Sequence, residues 1–203
     1  MKNTAAILPV GLFSRLLHAA SPTPSETEGP FYPLLAQKDK DFDLTHIQGR
    51  QGTAKGRVIL IEGQVLNTDG KPVEDAIVDL WQANAAGRYR HHRDKNRAPL
   101  DPNFQVWAIV KSSREGRFRF KTIFPGIYPA SADWLRPPHI HFKVSKGGYA
   151  KLTTQMYFPD HKLNNSDLLL MQKSNEEAAL MISKRVDAEV ETYSYNIVMS
   201  GLK

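Results

Sequence analysis

Cysteine is absent from the 203-residue sequence, which excludes disulfide bonds, thiolate metal sites and cysteine nucleophiles. No run of apolar residues reaches the length of about 18 that a membrane-spanning helix requires. Internal repeats and low-complexity tracts are also missing. The basic residues form no recognised nucleic-acid-reading motif. The sequence therefore predicts neither a membrane protein nor a nucleic-acid binder.

What the chain does contain is typical of one globular domain. Hydrophobic residues make up 41% and charged residues 24% of the sequence, and these values argue against wholesale disorder. Lysine and arginine exceed aspartate and glutamate by 27 − 21 = 6 charges. Such a basic surface is either simply solvated or attracts an anionic ligand.

The beginning of the chain differs in composition from the rest. Residues 21–25 (SPTPS) contain two prolines and indicate a linker. The apolar run of residues 5–13 resembles a secretory signal, but a proline and a glycine interrupt it. We therefore expect an N-terminal arm and linker over residues 1–26 and one domain over residues 27–203. The protein is expected to be cytoplasmic, with export as the alternative.

Beyond residue 56, short segments rich in β-branched and aromatic residues alternate with turn signals. Helical signal is confined to the C-terminal quarter, where residues 175–184 carry acidic residues in their first turn. We predict an all-β fold, a β-sandwich of about seven to eight short strands with long active-site loops, an N-terminal arm and short C-terminal helices. The expected strands are Arg57–Leu66, Ala76–Gln82, Phe104–Lys111, Arg117–Ile123, His139–Ser145, Leu152–Phe158 and Tyr193–Met199.

Two histidines are the first candidate metal ligands. His139 and His141 are alternate residues of a predicted strand, so their side chains point to one face, about 6.5 to 7 Å apart along the chain. They can therefore bind one metal ion, although one packed and one exposed histidine is the plain alternative. The residues alone leave the other ligands open: a carboxylate (Asp133 or Asp160), a third histidine (His91, His92 or His161), or tyrosine.

Two tyrosines lie in loops where predicted strands end. Tyr89 follows the strand that ends near residue 82, and Tyr128 follows the strand that ends near residue 123. A free phenol has a pKa of about 10, so only a strong Lewis acid keeps it ionised near neutral pH. Among common metal ions this means Fe(III). Each tyrosine taken alone is equally typical of an ordinary loop or core residue.

Seven segments, in the same order, resemble the intradiol ring-cleavage dioxygenases, and most closely the iron-bearing subunit type of their protocatechuate-cleaving members. They span most of residues 27–158, and the set is highly specific where one segment would be weak. They are Thr27–Pro33 (TEGPFYP), Gly70–Asp79 (GKPVEDAIVD), Leu80–Tyr89 (LWQANAAGRY), Ala98–Gln105 (APLDPNFQ), Phe120–Pro129 (FKTIFPGIYP), Arg136–Phe142 (RPPHIHF) and Thr154–Phe158 (TQMYF).

The resemblance implies a non-haem Fe(III) bound by two tyrosines, two histidines and a water-derived hydroxide. By motif the ligands are Tyr89, Tyr128, His139 and His141. Arg136 matches the active-site arginine, for which an ion pair with Asp133 is the structural alternative, and Gln155 matches the glutamine beside it. The implied substrate-binding residues, besides Arg136, are Gly29, Tyr32, Trp81 and Ile127.

The implied reaction is cleavage of a small aromatic diol by O2, between its two hydroxyl-bearing carbons, to a cis,cis-muconate. Catechol 1,2-dioxygenases carry a long helical region before the first segment, whereas this chain has 26 residues there. We therefore expect protocatechuate as the substrate and 3-carboxy-cis,cis-muconate as the product. Five basic residues within residues 88–97 suit an anionic substrate. Ala130 and Ser131 stand where these enzymes usually have Trp and Arg, which leaves other catechols and hydroxyquinol open.

The chain carries both the implied ligands and the segment that, in the protocatechuate enzymes, comes from a partner subunit. We therefore expect a single-subunit type of enzyme that forms a homo-oligomer, with an iron-free second subunit as the alternative. Two other classes stay open. One is a non-catalytic β-sandwich binding module, because Gly63–Asp79 also resembles such domains. The other is a zinc or Fe(II) enzyme that uses the two histidines with a carboxylate.

Overall fold

The computed structural model describes residues 20–34 and 37–202, so most of the predicted N-terminal arm lies outside it. The described residues form eleven strands, one α-helix, α1 (Asn175–Met181), and 3-10 helices at Lys162–Ser166 and Leu170–Gln172. The strands are β1 (Val58–Asn67), β2 (Ile77–Trp81), β3 (Trp107–Lys111), β4 (Arg117–Ile123), β5 (Tyr128–Ser131), β6 (Trp134–Arg136), β7 (His139–Ser145), β8 (Leu152–Tyr157), β9 (Lys184–Val186), β10 (Thr192–Ser194) and β11 (Ile197–Met199).

The strands form two main sheets and a hairpin. In the first sheet, β1 pairs with β4 along one edge and with β10 and β11 along the other edge, and β9 pairs with β10. The second sheet has the order β3-β2-β7-β8, and β5 pairs with β6 alone. The long strand β1 pairs in parallel with β10 through its first half and with β11 through its second half. Gly63 lies at the changeover, where an added Cβ would come within 1.9 Å of the Tyr195 carbonyl oxygen.

The core lies between the two sheets and is built from alternate residues of their strands. Ile59 and Ile61 of β1 and Phe120 of β4 meet Leu80 of β2 and Phe142 of β7 in one buried cluster. Full burial of each such side chain stabilises the fold by about 1.5–3 kcal/mol. The all-β sandwich predicted from the sequence is confirmed.

The expected number of strands was wrong, because short strands lie in segments that carry no clear periodicity. Strands β5 and β6 form a hairpin within a predicted loop. The last predicted strand is divided into β10 and β11, which pair with different halves of β1. The helix α1 ends at Met181 because Lys184 pairs with Ser194 in the first sheet, so tertiary pairing overrides the helical spacing beyond it.

The described end of the predicted arm lies against both sheets. The backbone N–H of Thr23 donates to the Val198 carbonyl of the first sheet at 3.1 Å, and that of Glu26 donates to the Thr153 carbonyl of the second sheet at 2.8 Å. This path delivers residues 27–33 to the second sheet. Across residues 20–34 and 37–202, the structure has no helix with the length and apolar character to cross a membrane.

Candidate active site

The outer face of the second sheet, turned away from the core, carries aromatic and polar side chains. In β7, His139 and His141 lie on this face, whereas Ile140 and Phe142 belong to the core. The strand register places Trp81 and Gln155 on either side of His141. The indole ring of Trp81 stacks on His141, with ring centroids 4.8 Å apart.

Two glycines bring the tyrosine-bearing loops together above this face. Gly87 has a φ of +74°, and an added Cβ there would lie 1.9 Å from the Ile127 carbonyl oxygen. An added Cβ at Gly126 would lie 2.3 Å from the Gly87 nitrogen. Only glycine permits such a close approach of two backbones. The loop is fixed further where the backbone N–H of Tyr89 donates to Asp94 Oδ2 at 2.7 Å.

Tyr89 and the two histidines converge on one point. The Tyr89 Oη atom lies 3.2 Å from Nε2 of His139 and 3.2 Å from Nε2 of His141. All three side chains are buried. The sheet supplies the histidines and the loop after β2 supplies the tyrosine, so these three residues are brought together although fifty positions separate Tyr89 from His139.

The protonation state of this cluster follows from its hydrogen bonds. His139 Nδ1 donates to the Pro137 carbonyl at 2.7 Å, which leaves the lone pair on Nε2, facing Tyr89. Burial, reinforced by nearby positive charge, holds the pKa values of both histidines well below the usual 6.5. Two neutral imidazoles therefore share one phenol, which has a single proton to donate.

This set of donors fits a metal cation. The single proton of the Tyr89 hydroxyl cannot satisfy both Nε2 lone pairs that face it. Burial raises the pKa of Tyr89, and a strong Lewis acid is needed to ionise it. The described residues contain no group of three or more histidine, aspartate or glutamate side chains that could hold a metal. The carboxylate and third-histidine completions considered above are therefore not formed.

Tyr128 lies beside the cluster at the edge of an open cavity. Its ring meets Tyr89 edge-on, with centroids 5.7 Å apart, and Phe31 packs against both tyrosines. Burial raises the pKa of the half-buried Tyr128. The cavity has a volume of about 410 Å³, and its lining includes Tyr128, Phe31, Ser131 and the basic residues Arg93 and Lys95.

Arg136 is buried behind the histidines in a hydrogen-bond network, of which Gln155 was predicted from the sequence but neither Tyr157 nor Asp167 was. Its Nε donates to Asp167 Oδ2 at 2.8 Å, and its Nη2 donates to Gln155 Oε1 at 2.8 Å and to Tyr157 Oη at 2.7 Å. The expected pairing alternative, Asp133, was wrong, because the carboxylate that binds Arg136 is Asp167. Alternation with Gln155 along β8 could have pointed to Tyr157. Ser166 and Asp167 stand out in the sequence only as possible helix caps before Leu168, and nothing there links Asp167 to Arg136.

The remaining predicted residues are divided between the site and its surroundings. Gly29 (φ +72°) lies against the site, since an added Cβ would be 3.5 Å from His141 Cε1. The Tyr32 hydroxyl does not face the cluster of Tyr89 and the histidines but donates to Asp79 Oδ2 at 2.7 Å. Lys143 Nζ lies over the Tyr32 ring, 3.5 Å from the ring centroid. Ile127 is 44% exposed, so nearly half of the residue faces solvent rather than the buried cluster.

Comparison with known proteins identifies the class that this fold and site define. A family model described as Dioxygenase matches residues 27–201. The chain belongs to this family, the intradiol ring-cleavage dioxygenases, and is an enzyme. Members of the family use non-haem iron, in agreement with the donor set described above.

Among individual proteins, the chain is 41% identical to the protocatechuate 3,4-dioxygenase beta chain of Burkholderia cepacia, over 87% of this chain and 86% of that one. It is 33% identical to catechol 1,2-dioxygenase 2 of Acinetobacter lwoffii, over 66% of this chain and 50% of that one. The dioxygenase domain of a carbohydrate-binding fusion protein from Streptomyces sp. SirexAA-E superposes with a TM-score of 0.67, at 25% identity, over 90% of this chain and 100% of that one.

A third relative is hydroxyquinol 1,2-dioxygenase of Rhizobium sp. (strain MTP-10005), which is 31% identical over 60% of this chain and 44% of that one. The chain spans half or less of the catechol and hydroxyquinol enzymes. It spans most of the protocatechuate beta chain. These three relatives are thus all named dioxygenases and differ in the substrate that the name gives.

Proposed function

We propose that this protein is a non-haem Fe(III) dioxygenase that cleaves protocatechuate with O2 between its two hydroxyl-bearing carbons to 3-carboxy-cis,cis-muconate. The observation that carries the proposal is the convergence of Tyr89 Oη with the Nε2 atoms of His139 and His141, each at 3.2 Å. Tyr128 would be the fourth protein ligand, beside a hydroxide derived from water. Ferric iron at this point would bind the two substrate oxygens and make the ring reactive towards O2.

Tyr128, which would be ionised as a ligand of ferric iron, is proposed to take a proton from the incoming diol and thereby become a neutral phenol. It is half-buried and borders the cavity, whereas Tyr89 is enclosed. A diol that enters from the cavity would therefore reach Tyr128 before Tyr89. Tyr128→Phe should keep the iron but slow the spectral change that accompanies substrate binding. An unchanged rate of that step would rule out the role of Tyr128 as proton acceptor.

Arg136 is proposed to stabilise the negative charge that the substrate ring carries after it loses its protons. A guanidinium stays charged at every relevant pH, and Nη1 lies 3.5 Å from His139 Nε2, next to the proposed metal position. Phe31 and Trp81 enclose the site with aromatic surface. Exclusion of water there strengthens the electrostatic effect of the cation.

The choice of protocatechuate depends on the cavity beside Tyr128. Arg88 and Arg90, two of the five basic residues within residues 88–97, donate to backbone carbonyls and hold that loop together. Arg93 and Lys95 instead line the cavity together with Asp94, and their two positive charges, against one negative charge, would attract a ring carboxylate. The beta-chain relative, named for protocatechuate, supports the same choice. Ala130 and Ser131 are small residues of the cavity lining, which keeps catechol and hydroxyquinol as the second candidates.

We also propose that the active site is complete within one chain, because residues 27–33 of the same chain pack on the site. The protein would then act as a homo-oligomer, although the name of the beta-chain relative points to an assembly with another chain. Sedimentation and activity of the purified chain alone would decide between the two. A cytoplasmic location stays a prediction, which fractionation of the cells would test.

The first experiment is an iron assay and a visible spectrum of the purified protein, recorded under nitrogen before and after addition of protocatechuate. We expect about one iron per chain and a tyrosinate-to-iron charge-transfer band that shifts on addition of the substrate. Admission of O2 should then yield the carboxymuconate, and catechol and hydroxyquinol serve as matched substrates. A protein that stays colourless after ferric loading would overturn the ligand assignment. A faster reaction with catechol would overturn the choice of protocatechuate as the substrate.

A further inference from the structure

The guanidinium of Arg136 is held from one side only. Its Nε and Nη2 atoms donate to Asp167, Gln155 and Tyr157 at distances of 2.7 to 2.8 Å. Its Nη1 atom points the other way and lies 3.5 Å from His139 Nε2. A planar guanidinium that is fixed by two of its three nitrogen atoms has no freedom to rotate. Nη1 is therefore the nitrogen that is presented to the proposed reaction site.

Asp167 is the fixed end of this arrangement. Its side chain is completely buried, between the two 3-10 helices. Oδ1 accepts hydrogen bonds from the Leu170 backbone N–H and from the Tyr157 hydroxyl, both at 3.1 Å, while Oδ2 accepts from Arg136. Tyr157 in turn lies directly opposite His139 in the register of β7 and β8. A carboxylate anchored by several donors is rigid enough to orient its partner.

Charge makes this partner necessary. Arg136 is 5% exposed, and a buried cation is costly unless an anion accompanies it. A metal cation bound by His139 would repel the guanidinium further. The negative charge of Asp167 offsets both effects, so the arginine can stay charged next to a metal. Burial alone would lower the pKa of Arg136, but Tyr157 and Asp167 outweigh burial and raise it.

We propose that Asp167 is a positioning residue of this enzyme, which, with Tyr157, holds the Arg136 guanidinium so that Nη1 faces the reacting ring. The inference rests on the proposed function, because that function gives Arg136 its role in catalysis. It assigns no contact between Asp167 and the substrate. It predicts that Asp167 acts on catalysis only through Arg136.

The main test is Asp167→Asn, which keeps the shape of the side chain and removes its charge. We expect kcat to fall about 10- to 100-fold, the range for residues that orient a site through another group. The iron content and the spectral shift on anaerobic substrate binding should be retained. Tyr157→Phe removes one hydroxyl from the same network, and kcat should fall by a smaller factor. Asp43→Asn is the matched control, because Asp43 is ion-paired with Lys121 outside the site, and its kcat should be unchanged.

A double-mutant cycle separates positioning from a general structural role. In an Arg136→Met background, the addition of Asp167→Asn should leave kcat unchanged within about twofold. The melting temperature of the metal-free protein gives a second readout. Asp167→Asn should lower it in the wild type, where a guanidinium loses its anion, and raise it in the Arg136→Met background, where a buried carboxylate is left without its cation.

The outcomes that overturn the inference are distinct from those that overturn the proposed function. If Asp167→Asn lowers kcat by the same factor in both backgrounds, Asp167 acts independently of Arg136 and the inference is wrong. Full activity of both Asp167→Asn and Tyr157→Phe would also overturn it. A wild-type protein that binds no iron and cleaves no catechol would instead overturn the proposed function, and the inference with it.

Discussion

The two faces of the second sheet have opposite characters although the same strands build them. Along β7, Ile140, Phe142 and Val144 enter the core, while His139 and His141 lie on the outer face between them. Both sets are buried. The inner face gains stability because apolar surface leaves water. The outer face loses stability, because polar groups leave water without a full set of partners.

This difference separates the face that stabilises the fold from the face that carries the candidate active site. The inner face, together with the first sheet, supplies the stability that allows two neutral imidazoles, a phenol and a buried arginine to be held in one place. Loops cover the outer face, so its polar groups are enclosed without being part of the core. Substitutions on the inner face should therefore lower stability, whereas substitutions on the outer face should lower catalytic activity.

The largest expected effect is the loss of activity in Tyr89→Phe on the outer side. The variant lacks the oxygen that faces both histidines, so iron binding and ring cleavage should fall below detection. The melting temperature of the metal-free protein should stay the same or rise, because a buried hydroxyl has been removed. Iron assay, oxygen uptake and thermal unfolding measure the three quantities.

Tyr195→Phe is the matched control for that experiment, because Tyr195 lies in the apolar core cluster. It should bind iron and cleave substrate like the wild type. If Tyr89→Phe retained iron and activity, the metal would be held elsewhere, and the assignment of the outer face as the active site would be wrong.

The second prediction concerns Phe142→Ala on the inner face. Phe142 is fully buried, and such a truncation typically lowers the free energy of unfolding by about 3–5 kcal/mol. The folded fraction should still bind iron and keep its kcat, because the histidines beside Phe142 point the other way. Urea unfolding and kcat per bound iron check the two claims. Ile77→Ala, at a side chain that is 43% exposed, should cost much less stability.

Gly87→Ala should affect stability and iron binding together, because at this position the loop that carries Tyr89 contacts the loop that leads to Tyr128. The new Cβ would clash with the Ile127 carbonyl, and φ would have to stay near +74°. We expect a loss of about 2–3 kcal/mol of stability together with weaker iron binding. Gly147→Ala is the control, since no atom of the described residues beyond its two chain neighbours lies within 4 Å of its added Cβ. A Gly87→Ala variant that lost neither stability nor iron would show that the loops can separate freely.

The sequence allowed the inner face to be predicted well, because core strands carry a period-two apolar pattern. The bounds of β4 and β7 agree with the expected ones. Strands β5 and β6 were missed because, among the strands that the structure describes, they pair only with each other, and because they bury little apolar surface. Local pattern does not report pairing between distant segments, which also explains why the division of the last strand into β10 and β11 was not foreseen.

On the outer face, only the residues that belong to recognisable sequence motifs were predicted. Alternation in β7 placed His139 and His141 on one face, and the resemblance to the dioxygenases singled out Tyr89, which the structure brings within 3.2 Å of both. Asp167 could not be found in this way. It lies 31 positions from Arg136 in a segment without strand periodicity, and a buried ion pair leaves no periodic signal in the sequence.

The smallest expected effect comes from an ion pair on the first sheet, where Lys121 and Asp43 are 2.9 Å apart with side chains 40% and 24% exposed. Partial burial alone would raise the pKa of Asp43, but hydrogen bonds from Thr45 and Lys121 outweigh it, and the pKa lies below the ordinary 3.8. The unfolded chain therefore takes up this proton first as the pH falls. The stabilisation is present above pH 3.8 and is lost as the pH falls through the lower pKa of the folded state.

Asp43→Asn should therefore be less stable than the wild type at pH 7 by less than about 1 kcal/mol, because water screens an exposed pair. The difference should shrink towards pH 3 and also in 1 M salt, where screening is stronger. Urea unfolding of the metal-free proteins at pH 7, 5 and 3 measures it. A difference that stays constant with pH would mean that Asp43 acts through its shape rather than its charge. The buried pair of Arg136 and Asp167 should respond much less to salt, because little water surrounds it.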